Sequence, residues 1–463
     1  MSRRRTLRLV VGSVAALVAA GAVAGAAILP WPQVSATGFG PGNAGPRVEV
    51  TPVAAETVLS CDGPLVALGR DSSDASALTG IGDLALTTLT GQGEQPGEGD
   101  AAELEGVGSA PTIVQAPDGS TPISVGASGS AMIEQPDLTG FVASSCRAPS
   151  PEAWIAGATV STGVTDVLMI TNPNDVAATV SLTVYGVDGE KVPAGGEFAL
   201  SAHSQRAIPV ASIAGEEQSP VVRVTAEGAP VRTSLQSSRV DTLEARGADL
   251  QAGTLPAREA VIPRVLVTGT AADTGEDPTQ IRVLGTGGEA GRVEAEVVDE
   301  ATGETVFTTS ADLDADVPVT LGVEGLEAGS YAVRLTGDTP FVSAVRQPAG
   351  GDYAWLTPGE PLTGTSLVSA PETPLGTMAL SFAATGGDDA SVTVEPVAGG
   401  DAQSFDVAAG RSQTIVVDAA ETYRVTVDGG SVAGAAGVAQ DDMIAAFTID
   451  PDPAAPEPVE VAP

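Results

Sequence analysis

His203 is the only histidine in the 463-residue chain, so proton transfer through imidazole has a single residue to use. It sits in the polar stretch Ser201-Ala202-His203-Ser204-Gln205, between two runs of alternating apolar residues. A hydrolytic serine needs a base held beside it, and the usual base is histidine. No Gly-x-Ser-x-Gly elbow is present: Gly126-Ala127-Ser128-Gly129-Ser130 spaces its residues differently and reads as a turn. His203 is therefore expected to be a solvated turn residue. Gly285-Thr286-Gly287-Gly288-Glu289-Ala290-Gly291 follows one apolar run and leads into another, whereas a phosphate cradle needs a helix N-terminus at that point. It reads as a hairpin loop, and no cofactor is expected.

Carboxylates are the abundant reactive groups, with 59 Asp and Glu against 21 Lys and Arg. A glycosidase would use two of them across a cleft lined with aromatic rings. Aromatic residues make up only 3% of the chain, and no particular pair stands out. Asp312-Leu313-Asp314-Ala315-Asp316 has the alternating oxygen ligands of a calcium loop. Val317 stands where an EF-hand needs glycine, so Asp312, Asp314 and Asp316 are a weak calcium candidate. The same residues serve equally as a solvated acidic edge that discourages strand-to-strand aggregation.

The net charge of −38 excludes a nucleic-acid reader, which needs a basic surface to displace counterions from phosphate. It favours basic partners or divalent cations, and it is expected to hold repeated units apart in solution.

Arg3, Arg4, Arg5 and Arg8 precede an uncharged apolar stretch from Leu9 to Leu29. As a helix that stretch reaches roughly 31 Å, enough to cross a bilayer. The arginines place the start in the cytoplasm and the rest outside. The expectation is a single-pass anchor at residues 9–29 in the cell membrane, with the remainder extracytoplasmic. Ala24-Gly25-Ala26 and Val34-Ser35-Ala36 leave open a cleaved signal and a secreted protein, and Ser2 to Arg8 has the outline of a twin-arginine signal. Either route leads to an oxidising compartment. Cys61 and Cys146, the only cysteines, are expected to pair there, stabilising their unit by roughly 4 to 5 kcal/mol on a chain-entropy account.

The elements that would position all of these residues are strands. Val180, Leu182 and Val184 alternate with Ser181 and Thr183, the period of a half-buried strand. The same pattern begins near Val167, Ile281 and Leu380, starts that lie roughly one small domain apart. Later strands correspond as well: Val222 to Thr225 with Ala332 to Leu335 and Tyr423 to Thr426. Each is followed by a small-residue turn and one more strand, Val231 to Gln236, Phe341 to Arg346 and Val432 to Val438. Short strands broken by Gly, Asp and Asn predict an all-β chain of tandem immunoglobulin-like β-sandwich domains after a single N-terminal transmembrane helix, with no other helix.

The expected organisation is an anchor or signal at 1–31, a flexible stalk at 32–47, a divergent disulfide-stapled β domain at 48–149, and sandwich repeats at 150–255, 256–360 and 361–449. A disordered Pro-rich acidic tail at 450–463 follows. Within the divergent domain, Gly91 to Asp100 is glycine-rich and acidic and predicts a mobile loop.

Leu168-Met169-Ile170-Thr171-Asn172-Pro173, Val184-Tyr185-Gly186-Val187-Asp188-Gly189 and Ala153-Trp154-Ile155-Ala156-Gly157 resemble an actinobacterial family of exported proteins, domain-of-unknown-function family 5719. Members of that family are commonly encoded near an envelope glycosyltransferase, so the resemblance implies a cell-envelope setting, and it supplies no catalytic residues. The function expected from residues and resemblance together is non-enzymatic. It is a membrane-anchored extracytoplasmic scaffold of the envelope that binds a protein or glycan partner. A carbohydrate-active enzyme, or an accessory subunit of envelope glycan assembly, is the alternative.

Overall fold

The computed structural model describes residues 48–50, 55–74, 76–268, 279–440, 443–453 and 459–461. The apolar segment 9–29, the stalk 32–47 and much of the tail lie outside the described residues. Val48–Val50 pairs antiparallel with Val459–Val461 in one compact unit, and Val53–Pro456 forms the other. No helix among the described residues is long and apolar enough to cross a membrane.

Among the described residues the chain is all-β, with one five-residue helix, Val210–Ala214, where no helical period is visible in the sequence. The strand Ala178–Gly186 shows why: its alternating Val180, Leu182 and Val184 are buried while Thr179 is exposed. Placing one face inward satisfies both the apolar side chains and the backbone ladder.

In 256–360 one long strand organises everything. Gly329–Ala349 pairs over its first half with Gly291–Asp299 and Ala257–Val267, and over its second half with Thr279–Gly285 and Asp352–Leu356. Thr305–Leu313 and Val319–Val323 extend the two ends of this seven-stranded sheet. The sheet wraps on itself around Ile281, Val297, Val333 and Phe341.

The same plan recurs in 361–449 with Glu421–Gln440 as the long strand, flanked by Leu362–Ala370, Ala390–Pro396, Thr377–Ala384 and Met443–Ile449. The turns expected before Phe341 and Val432 are absent, because the long strands run straight through those positions. Only 150–255 breaks the strand, into Val221–Glu227 and Arg232–Asp241. Its two sheets are then separate.

Two further expectations change. Gly97–Glu98 pairs with Ile113 and Val114, and Arg424 donates to the Gly91 carbonyl at 2.5 Å, so the acidic glycine-rich segment is an ordered turn and strand. Gly285 to Gly291 connects two strands that do not pair with each other, so it is a crossing between layers and not a hairpin.

Nor does the acidic charge hold the units apart. Residues 53–456 form one compact unit in which the last strand of each β unit packs on the next: Leu138–Ser145, Glu244–Ala252, Asp352–Leu356 and Met443–Ile449, which returns to Leu138–Ser145. The four strands make a closed cycle. Gly126–Ser130 helps close it, lying in the strand Val125–Gln135 and not in a turn. A Cβ on Gly126 would meet Thr422 Cγ2 at 2.7 Å, and Ser130 Oγ donates to the Glu372 carbonyl at 2.6 Å.

Candidate functional site where four strands meet

The interior of the cycle is built around one carboxylate. Asp352 opens its strand and is 2% exposed. Its Oδ1 accepts the backbone N–H of Tyr353 at 2.9 Å and of Ala248 at 3.1 Å. Its Oδ2 accepts those of Phe141 at 3.1 Å and Ile444 at 3.3 Å. Each of the four inner strands thus supplies one donor.

The approach is possible because two neighbours lack side chains. Gly247, at φ +102°, would put a Cβ 2.4 Å from Asp352 Oδ1, and Gly140, at φ +143°, would put one 2.9 Å from the same atom. Burial pushes the Asp352 carboxyl up to about 7 against the pull of the four N–H groups.

Two more carboxylates lie in the same interior. Burial drives Asp249 up to about 8, assisted by the charges of Asp352 and Asp166 and opposed by the N–H of Trp355 at 2.7 Å. Burial also raises Asp166 to about 7, although Ser237 Oγ and the Thr159 N–H donate to it. Ser237 shares a 2.6 Å hydrogen bond with the buried Tyr353 hydroxyl. Arg282 stacks 5.1 Å from the Trp355 ring and donates to the Ala158 carbonyl, joining 256–360 to 150–255. A buried polar network of this kind fixes neighbours in one arrangement because every lost partner leaves a desolvated group.

At the far end of the cycle the strand ends are clasped in turn. Arg147 pairs with Asp450 at 2.7 Å and donates to the Gly253 carbonyl at 3.1 Å. Thr254 Oγ1 donates to Pro358 O at 3.0 Å, and Thr448 Oγ1 to Thr357 O at 2.6 Å. The disulfide between Cys61 and Cys146 adjoins this clasp. It also holds Asp62 beside Arg232, which binds both carboxylate oxygens in the interior. Burial raises the Asp62 carboxyl, but the Arg232 charge and the hydrogen bonds outweigh it and leave the group below its ordinary value.

Above Asp352 the four inner hairpins border a cleft of about 680 Å³. Met132 and Phe141 come from the first unit, Glu244 and Arg246 from the second, Gly351 from the third and Met443 from the fourth. Met132 is 47% exposed, and Arg246 pairs with Glu244 at 3.1 Å. Phe141 is the one aromatic residue in this lining and is buried, so the walls offer no exposed ring for a sugar to stack on. The cleft volume falls in the range of ordinary ligand sites, about 300 to 1,000 Å³. Asp352 directly follows the lining residue Gly351 in the chain and has two N–H bonds on each oxygen.

The residues singled out in the sequence lie elsewhere. His203 Nε2 contacts Asp175 Oδ1 at 2.9 Å in a partly exposed turn. Asp312 pairs with Arg292 at 2.9 Å, Leu313 points into the core, Asp314 is exposed, and Asp316 sits at φ 59°. Among the described residues no group of three or more His, Cys, Asp or Glu is placed to hold a metal ion. Asp166, Asp249 and Asp352 escaped sequence reading: only Asp352 stands in an otherwise apolar strand, where it was a signal, whereas the strands of Asp166 and Asp249 carry other polar residues that hide them.

The match to known sequence families is decisive on one point. The chain belongs to the family of unknown function DUF5719. The matched region, residues 101–427, contains Phe141, Ala248 and Asp352, so the DUF5719 region includes the central carboxylate and two of the other units' strands that bind it. It stops short of Ile444. A search of the curated proteins finds none that matches the chain.

Proposed function

We propose that this DUF5719 protein is a non-enzymatic scaffold of the cell envelope, held at the membrane by residues 9–29, with its immunoglobulin-like β units outside the cytoplasm. In this reading the cycle of β units is a binding platform for an envelope protein or glycan. The observation that carries it is the single Asp352 carboxylate tied to backbone N–H groups from four strands. That arrangement uses a deeply buried acid for cohesion, and the cleft beside it is bordered by all four units.

An enzyme would be supported by two solvent-reachable carboxylates facing each other across aromatic walls. Glu134 and Glu244 border the cleft without such walls. The test is fractionation of cells expressing the full chain, followed by crosslinking in intact envelope. The scaffold reading expects membrane-bound protein, a reproducible crosslinked partner and no glycan turnover. Recovery as a soluble cytoplasmic protein, or hydrolysis of an envelope glycan by purified protein, overturns it.

A further inference from the structure

Resting on the scaffold reading, we propose that the cleft above Asp352 binds an extended segment of a partner protein in which a large apolar side chain stands next to a Lys or Arg. The walls argue for the apolar part. Met132 is half-exposed, Met443 joins it from a different unit, and Ile133 and Phe141 continue the surface inward. Unbranched thioether side chains adapt to varied aliphatic shapes, which is why methionine lines peptide grooves.

The charge argues for the basic part. Arg246 is already occupied by Glu244, whereas Glu134 lines the same cleft, is exposed, and has no ion pair among the described residues. The whole chain carries −38, a field that draws cations toward a concave site and repels acidic segments. A glycan is disfavoured because the lining exposes no aromatic ring, and a segment of this size suits a volume of about 680 Å³.

Because all four units contribute to the walls, an occupant bridges them. Binding should therefore raise the melting temperature of the whole body by mass action. Leu243, at a hairpin tip and 88% exposed, adds apolar surface one residue from the lining residue Glu244.

The probe is a phage-displayed library of random linear peptides, panned against the purified extracytoplasmic chain with its disulfide intact. The expected result is enrichment of peptides pairing Leu, Ile, Met or Phe with Lys or Arg. A synthetic copy of the leading peptide should weaken as salt rises, lose about tenfold or more in affinity against both Met132→Glu and Glu134→Lys, and stabilise the parent protein to heat. Both substituted positions are solvent-reachable, so the variants should melt with the parent. Failure to select any peptide, selection of acidic or purely polar ones, or binding indifferent to both substitutions overturns the proposal. None of those results touches the scaffold reading, which stands or falls on fractionation and crosslinking.

Discussion

Asp352 Oδ2 accepts the backbone N–H of Phe141 at 3.1 Å across 211 residues of chain. The first β unit is thereby fastened to the third, and the bond exists only because Gly140 leaves the space for it. Sequence neighbours could not have made this joint. It defines the molecule as a cycle instead of a string.

Replacing Asp352 by Asn keeps the shape and puts an NH₂ group against two of the four N–H donors. Leaving such donors buried and unpaired costs on the order of 3 kcal/mol in total. Urea unfolding of Asp352→Asn is expected to show that loss, whereas Asp314→Asn on the exposed acidic edge should unfold with the parent. Equal midpoints for parent and Asp352→Asn would remove the carboxylate from its central role.

Gly247→Ala separates lack of space from backbone strain. Both Gly247 and Gly189 have positive φ, but a Cβ at 189 meets nothing within 4 Å, while at 247 it meets Asp352 Cα at 2.7 Å. The left-handed backbone alone costs about 1 kcal/mol, and displacing a packed neighbour adds roughly 1 to 3 kcal/mol. Thermal melting should therefore rank parent, Gly189→Ala and Gly247→Ala in order of falling stability.

The disulfide closes a sequence separation of 85 residues beside the clasp made by Arg147. The double variant Cys61→Ser, Cys146→Ser is expected to lose roughly 4 to 5 kcal/mol and to become cleavable first within residues 55–149 under limited proteolysis. Peptide mapping without reductant should recover Cys61 joined to Cys146. Identical digestion patterns with and without the bond would show that the strand pairing alone holds this unit.

Stability should change with pH in a direction set by the buried acids. Asp166, Asp249 and Asp352 are raised to about 7, 8 and 7, so the folded state holds protons that the unfolded chain releases near 3.8. Their contribution is full below that lower value and is lost as pH climbs through 7 to 8, at about 1.4 kcal/mol per pH unit for each proton. Asp62 is lowered and acts oppositely, giving up its contribution in acid. Urea midpoints should rise from pH 8 to pH 5 and fall again below about pH 4. In Asp352→Asn the rise should shrink. A flat profile between pH 5 and 8 would contradict the assignment.

Much of the strand content was legible because half-buried strands declare themselves by alternation, as Val180, Leu182 and Val184 do. The strands of the cycle were harder to see. In Met443–Ile449 every residue after the first is buried, and Asp352–Leu356 is buried throughout, so neither carries a polar face to set a period. The apparent turns before Phe341 and Val432 misled for a related reason. Small residues that end one strand allow another to bend and continue.

By itself, then, the amino-acid order determined that the chain is all-β, that its units repeat, and that its two cysteines belong together, since these follow from local periodicity, internal similarity and scarcity. Tertiary structure alone decided that Leu138–Ser145 meets Met443–Ile449, and that Asp352 is an interior acid and not one more solvated one. Alternation tells which face of a strand turns inward but never which distant strand it will meet. The value of a carboxylate depends on the donors that arrive around it, and here three of the four come from other parts of the chain.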